Sequence, residues 1–485
     1  MATSLLLSLP QKWQPFLLAL IVSAVSLLLW TRRKGKGRLK LPPGPVKLPI
    51  VGNLHQLGSL PHRTLSDLAR LHGPVMQLQL GTAPTVVLSS AEAAWEALKV
   101  HDLDCCTRPV SPGPTLLSYG LKDVAFAPYG AYWRHIRKLL VVELLSARRV
   151  KAAWYARQEQ VDRLVAALLA AGKAKQPVAL DEHVLRLSDC ITGTVAFGSV
   201  YASDKFASFQ DALDEAMELD AFFQMVIEEH LDPKLANPAE NENGGGGDLV
   251  DALIALWKED PWFTRDHVKA VIFNTFIASI DTSSVTILWA MSELIRKPHV
   301  LGKVQAEIRA VAGGNINGRV LSEDVSRLTY LNMVVKETLR LHPPVPLQLQ
   351  RETMRHIQVA GYDVPAKTRV YVNAWAIGRD PTSWPDSPEE FNPDRFDGRD
   401  VDVKGKHPEL MAFGMGRRIC PGLSMAMATV EFTLANLLFC FDWALPEGIA
   451  ADDVSMEEEG RVVFHRKTPL VLVPTAYVPP RPRPC

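Results

Sequence analysis

The ten residues Phe413-Gly414-Met415-Gly416-Arg417-Arg418-Ile419-Cys420-Pro421-Gly422 are the most informative stretch of the chain. Its three glycines let a backbone turn sharply and approach a flat group closely. Cys420 stands just before an apolar run that reads as a helix, and a helix amino end with nearby arginines lowers the pKa of a thiol. We therefore expect a thiolate held in a tight glycine-rich turn.

This combination indicates a particular cofactor. A lone thiolate, exposed backbone amides, a flat aromatic ring at Phe413 and an anion-binding arginine at Arg418 match haem b, with Cys420 as the axial ligand of the iron. The alternative is a buried structural cysteine in a glycine-rich turn, which would account for the thiol but not for its neighbours.

Upstream, a helical segment carries a second signal. Glu337 and Arg340 are three residues apart, so they meet on one helix face, and Arg395 follows within Phe391-Asn392-Pro393-Asp394-Arg395-Phe396. A carboxylate that accepts from two guanidinium groups forms a rigid lock. A solvated surface pair is the alternative.

The third signal lies inside a long apolar helix predicted from about Thr264 to Arg296. Ser279, Asp281 and Thr282 interrupt it, and burying polar groups is costly unless they are paired or used. A carboxylate next to a hydroxyl could relay protons to a bound oxygen species. The open alternative is a helix bend with back-bonded hydroxyls.

Length and composition set the limits. The 485 residues carry 53 basic and 53 acidic side chains, so a nucleic-acid partner, which needs a basic surplus, is not expected. Six cysteines make no disulfide framework. Helical periods outnumber short alternating runs, which predicts a mainly α fold with small β-sheets.

The amino-terminal residues predict a membrane anchor. Phe16 to Trp30 is almost entirely apolar, and basic residues follow from Arg32 to Lys40. We expect residues 1–40 to be a single-pass signal anchor with its basic flank in the cytosol, and residues 41–60 a proline-rich hinge. Residues 61–485 would then form one cytosolic haem-binding domain.

Taken in order along the chain, these motifs resemble the cytochrome P-450 haem–thiolate monooxygenases, and the anchor and hinge resemble their plant microsomal members. The resemblance implies that O2 is reduced with electrons from NADPH–cytochrome P-450 reductase at the endoplasmic reticulum membrane. It also implies that Asp281 and Thr282 are the catalytic acid–alcohol pair and that Glu337, Arg340 and Arg395 form the structural triad. The residues that it places against the haem are Cys420, Phe413, Arg418, Trp133, Arg137 and Arg351. A small apolar or aromatic substrate would meet Phe126, Phe276, Ile280, Val345 and Leu347.

A closer likeness connects the segments 104–109, 143–146, 281–289 and 464–470 with plant aldoxime monooxygenases, which implies conversion of an aldoxime to a hydroxynitrile. A generic hydroxylase of terpenoids or phenolics is the first alternative. A haem-binding protein with impaired catalysis is the second.

Three departures from the family pattern bear on the site. Ser279 stands where glycine is usual beside the oxygen site, and Asp394 replaces a glutamate. The lid region, residues 198–247, is markedly short. We therefore expect an over-exposed pocket in which Phe126, Phe276 and Ile280 are unusually accessible.

Overall fold

The computed structural model describes residue 23 and residues 39–198, 216–232, 248–314, 318–460 and 462–478. The predicted anchor and basic flank therefore lie outside the described residues, apart from Ser23, Leu39 and Lys40, and so does most of the lid region. Two described helices, Arg265–Arg296 and Leu423–Cys440, are long and apolar enough to cross a membrane, but more than half of each apolar window is buried in the protein. Both are core helices.

Helices account for far more of the described chain than strands do. They are α1 (Pro61–His72), α2 (Ala91–Trp95), α3 (Pro112–Leu117), α4 (Ala131–Leu139), α5 (Ala147–Ala152), α6 (Trp154–Lys173), α7 (Leu180–Phe197), α8 (Ala216–Leu231), α9 (Leu249–Glu259), α10 (Arg265–Arg296), α11 (Pro298–Ala312), α12 (Ser322–Val325), α13 (Thr329–Leu341), α14 (Ala374–Ile377) and α15 (Leu423–Cys440).

The strands are short. They are β1 (Val75–Leu80), β2 (Ala83–Leu88), β3 (Val178–Ala179), β4 (Arg351–Glu352), β5 (Ile357–Val359), β6 (Tyr362–Val364), β7 (Arg369–Val372), β8 (Phe441–Ala444), β9 (Glu458–Gly460), β10 (Phe464–Arg466) and β11 (Val471–Ala476). The largest sheet has the order β1-β2-β7-β4, a second has the order β3-β11-β8, and β5-β6 and β9-β10 are hairpins. The prediction of a mainly α fold with small sheets is confirmed.

The 32-residue α10 forms the centre of the fold. It begins at a capping box in which Thr264 and His267 are hydrogen-bonded, and it ends just before Pro298, whose ring cannot continue a helix. Most of its residues are buried against α7, α13 and α15. The helix runs past Ser279 without a break, and the hydroxyls of Ser279 and Thr282 donate back to the carbonyls of Thr275 and Ala278, as the alternative of back-bonded hydroxyls predicts.

A second apolar cluster joins α8 to α7 and α10. Phe222 and Phe223 of α8 are buried with Phe197, and Phe197 stacks on Phe276 with ring centroids 4.9 Å apart. Phe276 and Ile280 are 0% and 5% exposed. The expectation that these two side chains are accessible is therefore wrong, because they lie on the face of α10 that packs against α7 and α8.

Candidate active site

The cysteine loop is fixed by its backbone. The Cys420 amide donates to the Phe413 carbonyl at 2.9 Å, and Gly414 and Gly416 have positive φ of 73° and 68°. A Cβ atom on Gly416 would lie 2.3 Å from the Leu98 carbonyl oxygen, so no side chain fits there. This position requires glycine, and the turn presents Cys420 at the start of α15.

Burial dominates the electrostatics of the thiol. Desolvation raises the pKa of Cys420, while hydrogen bonds from the amides of Gly422 and Leu423 and the charge of Arg137 oppose that rise. The net shift is upward, so the sequence-based expectation of a lowered pKa is wrong for the polypeptide by itself. A bound metal ion changes this balance, because a coordinating thiol is deprotonated outright.

Cys420 faces a cavity of about 1080 Å³ between the cysteine loop, α10 and β4. Phe413, Arg418, Arg137 and Arg351 line the same cavity, so the structure brings five of the six predicted haem contacts together. The four-stranded sheet contributes Arg351, because β4 is its edge strand beside β7.

Trp133 is the sixth predicted contact, and it lies behind the cavity wall. Its indole N–H donates to the Val124 carbonyl at 2.9 Å, and the side chain is 3% exposed. The guanidinium groups of Arg418 and Arg137 lie 4.2 and 5.6 Å from its ring centroid. Trp133 therefore positions two arginines and does not itself reach into the cavity.

The arginines place an excess of positive charge in one buried region. Burial lowers the pKa of Arg418 to about 9, and burial also lowers the pKa values of Arg137 and Arg351. Arg418 donates to three backbone carbonyls at 2.6–3.2 Å, whereas Nη1 of Arg351 has no hydrogen-bond partner among the described residues and lies 3.6 Å from Asp102. Such a cluster suits a ligand that carries carboxylates.

A fourth arginine in this cluster was missed by the sequence analysis. Arg108 lines the cavity, donates to the carbonyls of Ala125 and Gln350 at 2.9 and 2.8 Å, and has a pKa held well below its ordinary value by burial and then by Arg418. The sequence feature that could have indicated Arg108 is the segment Thr107-Arg108-Pro109, which the sequence analysis used only as part of a likeness to one subfamily. The residues around the cavity thus fit haem. A thiol on one side can bind the iron, and several buried guanidinium groups can bind the edge of the haem that carries its carboxylates.

The α10 wall holds one of the two predicted catalytic residues. Thr282 lines the cavity, and its hydroxyl donates to the Ala278 carbonyl at 2.7 Å. Ser279 also lines it and donates to the Thr275 carbonyl at 2.7 Å, with Thr192 of α7 at 3.1 Å. Asp281 is half-buried and does not belong to the cavity wall.

The predicted substrate contacts divide into two groups. Phe126 and Val345 line the cavity, and Phe126 is only half-buried. Leu347 packs instead against the cluster formed by Leu65 and Met76, so its assignment to the pocket is wrong. Phe276 and Ile280 are likewise not in the wall, because the helical phase of α10 turns them toward α7 and α8.

The predicted triad is brought together away from the cavity. Arg340 donates to both carboxylate oxygens of Glu337, at 2.7 and 2.8 Å, and Arg395 donates to Glu337 at 2.9 Å. The side chains of Glu337 and Arg340 are fully buried, which excludes the solvated surface pair. Asp394 does not belong to this lock, and one of its carboxylate oxygens lies 3.4 Å from the Tyr330 hydroxyl.

Comparison with known proteins agrees with this site. The family model described as "Cytochrome P450" matches residues 42–237 and residues 211–473, two segments that overlap at 211–237. The chain therefore belongs to the cytochrome P450 family, and it is a haem–thiolate monooxygenase with an iron cofactor.

Two relatives of known activity are similar over nearly the whole chain. A 4-hydroxyphenylacetaldehyde oxime monooxygenase from Sorghum bicolor is 58% identical over 520 aligned positions, which cover 97% of each chain. A 2-methylbutanal oxime monooxygenase from Manihot esculenta is 43% identical and covers 98% of this chain and 99% of its own. Because 97% of this chain is about 470 residues, about fifty of the 520 positions aligned with the Sorghum relative have no counterpart here.

Solved structures give the same fold. A zebra fish cytochrome P450 with abiraterone aligns over 87% of this chain and 100% of its own, with a TM-score of 0.76 and 26% identity. A zebra fish cytochrome P450 with progesterone aligns over 86% and 99%, with a TM-score of 0.73 and 26% identity.

Proposed function

We propose that this monooxygenase acts on small aldoximes with an apolar or aromatic skeleton and converts them to hydroxynitriles. The observation that carries the proposal is a single cavity in which Cys420, the Thr282 hydroxyl and the apolar side chains of Phe126 and Val345 meet. Similarity to two oxime monooxygenases, at 58% and 43% identity, supports this substrate class.

The chain's own residues hold the cofactor and the substrate. Cys420 would supply the thiolate ligand of the haem iron, and Arg108, Arg137, Arg351 and Arg418 would hold the edge of the haem that carries its carboxylates. The haem would supply the activation of O2. Phe126 and Val345 contact the skeleton of the substrate and exclude water beside it.

Thr282 is the proton donor in this proposal. Its hydroxyl rests on the Ala278 carbonyl at 2.7 Å, and rotation about χ1 would release it to donate into the cavity. Ser279, which lies three residues before Thr282 on α10, keeps a second hydroxyl close to the same wall.

The overall chemistry has two parts. An aldoxime loses one water molecule to give a nitrile, with no net electron transfer. Hydroxylation of the carbon beside the nitrile then takes one atom of O2, two electrons and two protons, and the second oxygen atom leaves as water. Thr282 is needed for the second part, because only that part cleaves the bond between the two oxygen atoms.

The electrons would come from NADPH–cytochrome P450 reductase. Arg134 and Lys138 are exposed on α4, the helix that also carries Arg137 into the cavity, so a basic surface lies near the cofactor edge. The apolar run Phe16–Trp30 and the basic residues after it support a single-pass anchor in the endoplasmic reticulum membrane with this surface in the cytosol.

Optical difference spectra of the haem-loaded full chain test the substrate class. The panel contains 4-hydroxyphenylacetaldehyde oxime, 2-methylbutanal oxime, a monoterpene alcohol and a simple phenol. We expect saturable spectral shifts with the oximes, followed by hydroxynitrile formation when reductase and NADPH are added. Shifts and products only with the terpenoid or the phenol would overturn the aldoxime assignment and favour a generic hydroxylase.

A further inference from the structure

We propose that protons reach the cavity wall through a chain of hydroxyl groups between α7 and α10, formed by Ser188, Thr192 and Ser279. This hydroxyl chain takes the place of Asp281, the carboxylate that the resemblance puts beside Thr282. The inference rests on the proposed function, because it concerns the supply of protons for the hydroxylation step. It does not depend on which substrate is hydroxylated.

The first observation is a direct contact between two hydroxyls on different helices. Thr192 Oγ1 of α7 lies 3.1 Å from Ser279 Oγ of α10, and both residues line the cavity. Ser279 uses its single hydroxyl proton to donate to the Thr275 carbonyl at 2.7 Å, so Thr192 is the donor toward Ser279. The hydrogen bond therefore points from α7 into the wall that also carries Thr282.

The second observation is a buried hydroxyl without a partner. Ser188 lies one turn before Thr192 on the same face of α7, and it lines the same cavity. It is 2% exposed, and its Oγ has no hydrogen-bond partner among the described residues. A buried hydroxyl that stays unpaired is costly, whereas a roomy polar site lets a water molecule pair with it. Ser188 is thus positioned to hold a water molecule beside Thr192.

The register of α7 against α10 brings the hydroxyl chain to Thr282. Two contacts, Thr192 with Ser279 and the Val184 carbonyl with the Ser284 hydroxyl at 3.4 Å, show that the two helices run in opposite directions. The unpartnered hydroxyl lies midway between the two α7 residues, so it faces the turn of α10 that contains Thr282. The hydroxyl chain therefore ends within one helical turn of the proposed proton donor.

The carboxylate expected in this role lies elsewhere, and the cavity has a solvent end beside α7. Asp281 is half-buried and does not belong to the cavity wall. The same cavity extends along α6, past the buried Gln160, to Glu159 and Arg163, which are both exposed. Water can enter between α6 and α7, so the hydroxyl chain connects this entrance with Ser279.

The transfer breaks and forms only O–H bonds. Rotation about χ1 releases the Ser279 proton from the Thr275 carbonyl toward Thr282. Each hydroxyl then takes a proton from the hydroxyl or water molecule behind it, so every group returns to its neutral form and the proton is drawn from bulk water. No electron moves along this path. Two such transfers supply the two protons that the hydroxylation step consumes for each O2.

A double-variant cycle in the haem-loaded full chain tests the contact without any turnover. Thr192→Val and Ser279→Ala each remove one hydroxyl, and the double variant should unfold at nearly the same denaturant concentration as the less stable single variant. Thr194→Val is the matched control, because Thr194 donates to the Cys190 carbonyl of its own helix at 2.7 Å. Its effect should add to that of Ser279→Ala. Additive effects of Thr192→Val and Ser279→Ala would overturn the contact.

The solvent deuterium isotope effect tests the proton route. With reductase and NADPH, Thr192→Val should lower hydroxylated product per NADPH by about fourfold and should about double the isotope effect on product formation, because water has to replace the lost hydroxyl. Thr192→Ser should restore both values. A contact that only stabilises the helix pair would leave the isotope effect unchanged. An unchanged isotope effect in Thr192→Val, or a larger loss of product in Asp281→Asn, would overturn the route.

The aldoxime assignment and the proton route fail on different results. Product is measured with whichever compound of the substrate panel is hydroxylated. If that compound is only the terpenoid or the phenol, the aldoxime assignment is wrong, and the isotope effect in Thr192→Val still decides the route. Conversion of an oxime to a hydroxynitrile with the same isotope effect in Thr192→Val and the parent chain would overturn the route and leave the aldoxime assignment intact.

Discussion

Glu337 and Arg340 form a two-point ion pair in the interior, with N–O distances of 2.7 and 2.8 Å and both side chains completely buried. The same guanidinium donates to the Gly378, Pro388 and Glu390 carbonyls, so α13 is tied to the segment that leads to the cysteine loop. A buried charge that loses its partner is strongly destabilising. We therefore expect this pair to be required for folding and for cofactor loading.

Removal of one partner should prevent assembly of the holoprotein. For Glu337→Ala or Arg340→Ala we expect a loss of about 3–5 kcal/mol of folding free energy, which is much of the stability of a typical domain. Soluble yield and haem content per protein are the measurements. The matched control is Asp67→Ala, which breaks the exposed i,i+3 pair with Arg70 and should cost less than about 1 kcal/mol. Normal haem loading in Glu337→Ala would contradict the structural role.

The Asp220–Lys269 contact should hold α8 on α10. Lys269 is buried and Asp220 is half-exposed. Asp220→Asn leaves the ammonium group of Lys269 without its anion, so we expect the free energy of unfolding to fall by about 1–2 kcal/mol. Burial would by itself raise the pKa of Asp220, but the hydrogen bonds from Lys269 and Tyr119 outweigh it and lower that pKa. We expect faster amide hydrogen exchange in α8, while exchange in α13 stays unchanged. The double variant Asp220→Asn/Lys269→Met should restore protection, and a single variant as protected as the parent would refute the anchor.

The His230–Asp248 contact predicts a pH dependence of stability. Burial alone would lower the pKa of His230, but the hydrogen bond and charge of Asp248 and the bond to the Val226 carbonyl raise it to about 9. A folded-state pKa above the unfolded value means that the stabilisation is complete below pH ~6.5 and is lost as pH rises through about 9, with a maximum of about 3 kcal/mol. Both imidazole nitrogens of His230 are hydrogen-bonded, Nδ1 to the Val226 carbonyl and Nε2 to Asp248, so neither is free to bind a metal ion. His230, Asp248 and Asp251 therefore form a helix-capping cluster.

Denaturant titrations at pH 6, 7.5 and 9.5 check this dependence. The parent chain should lose stability between pH 6 and 9.5, and His230→Gln should flatten that change. His55→Gln, at an exposed position, is the control and should behave like the parent chain. If the stability of His230→Gln falls with pH as steeply as that of the parent chain, a group other than His230 is responsible for the pH dependence.

Thr282→Ala should separate the two halves of the proposed chemistry. Loss of the hydroxyl removes the proton donor from the cavity wall, so hydroxylated product per NADPH should fall at least about tenfold. Dehydration of an aldoxime to a nitrile cleaves no bond between oxygen atoms and should be nearly unchanged. Chromatography of both products, with Thr282→Ser as the conservative control, measures the split, and equal loss of both activities would count against it.

The sequence predicted the local features of this site well. One continuous loop contains Gly414, Gly416 and Cys420, so its geometry follows from the local sequence. The contact between Glu337 and Arg340 is also local, because the two residues are three positions apart on one helix. The long helix predicted from about Thr264 to Arg296 agrees with α10, which spans Arg265–Arg296.

Tertiary packing determined what the sequence could not show. Phe276 and Ile280 are apolar residues in a helix, and only the position of α8 decides whether they face a cavity or a partner. Trp133 has the predicted spacing from Arg137, but the Val124 carbonyl, which captures its indole N–H, belongs to the loop before α4. The raised pKa of Cys420 likewise depends on how deeply the folded chain buries the thiol.

The central claim is that Cys420 is the axial ligand of a haem in this cavity, and the reduced carbon-monoxide difference spectrum of Cys420→Ala tests it most directly. We expect the parent chain to give the Soret band typical of thiolate ligation and the variant to lack it. Cys440→Ala, which removes a half-buried thiol at the other end of α15, should keep the band. A thiolate-type band that persists in Cys420→Ala would contradict the assignment of the ligand and the account of the site built on it.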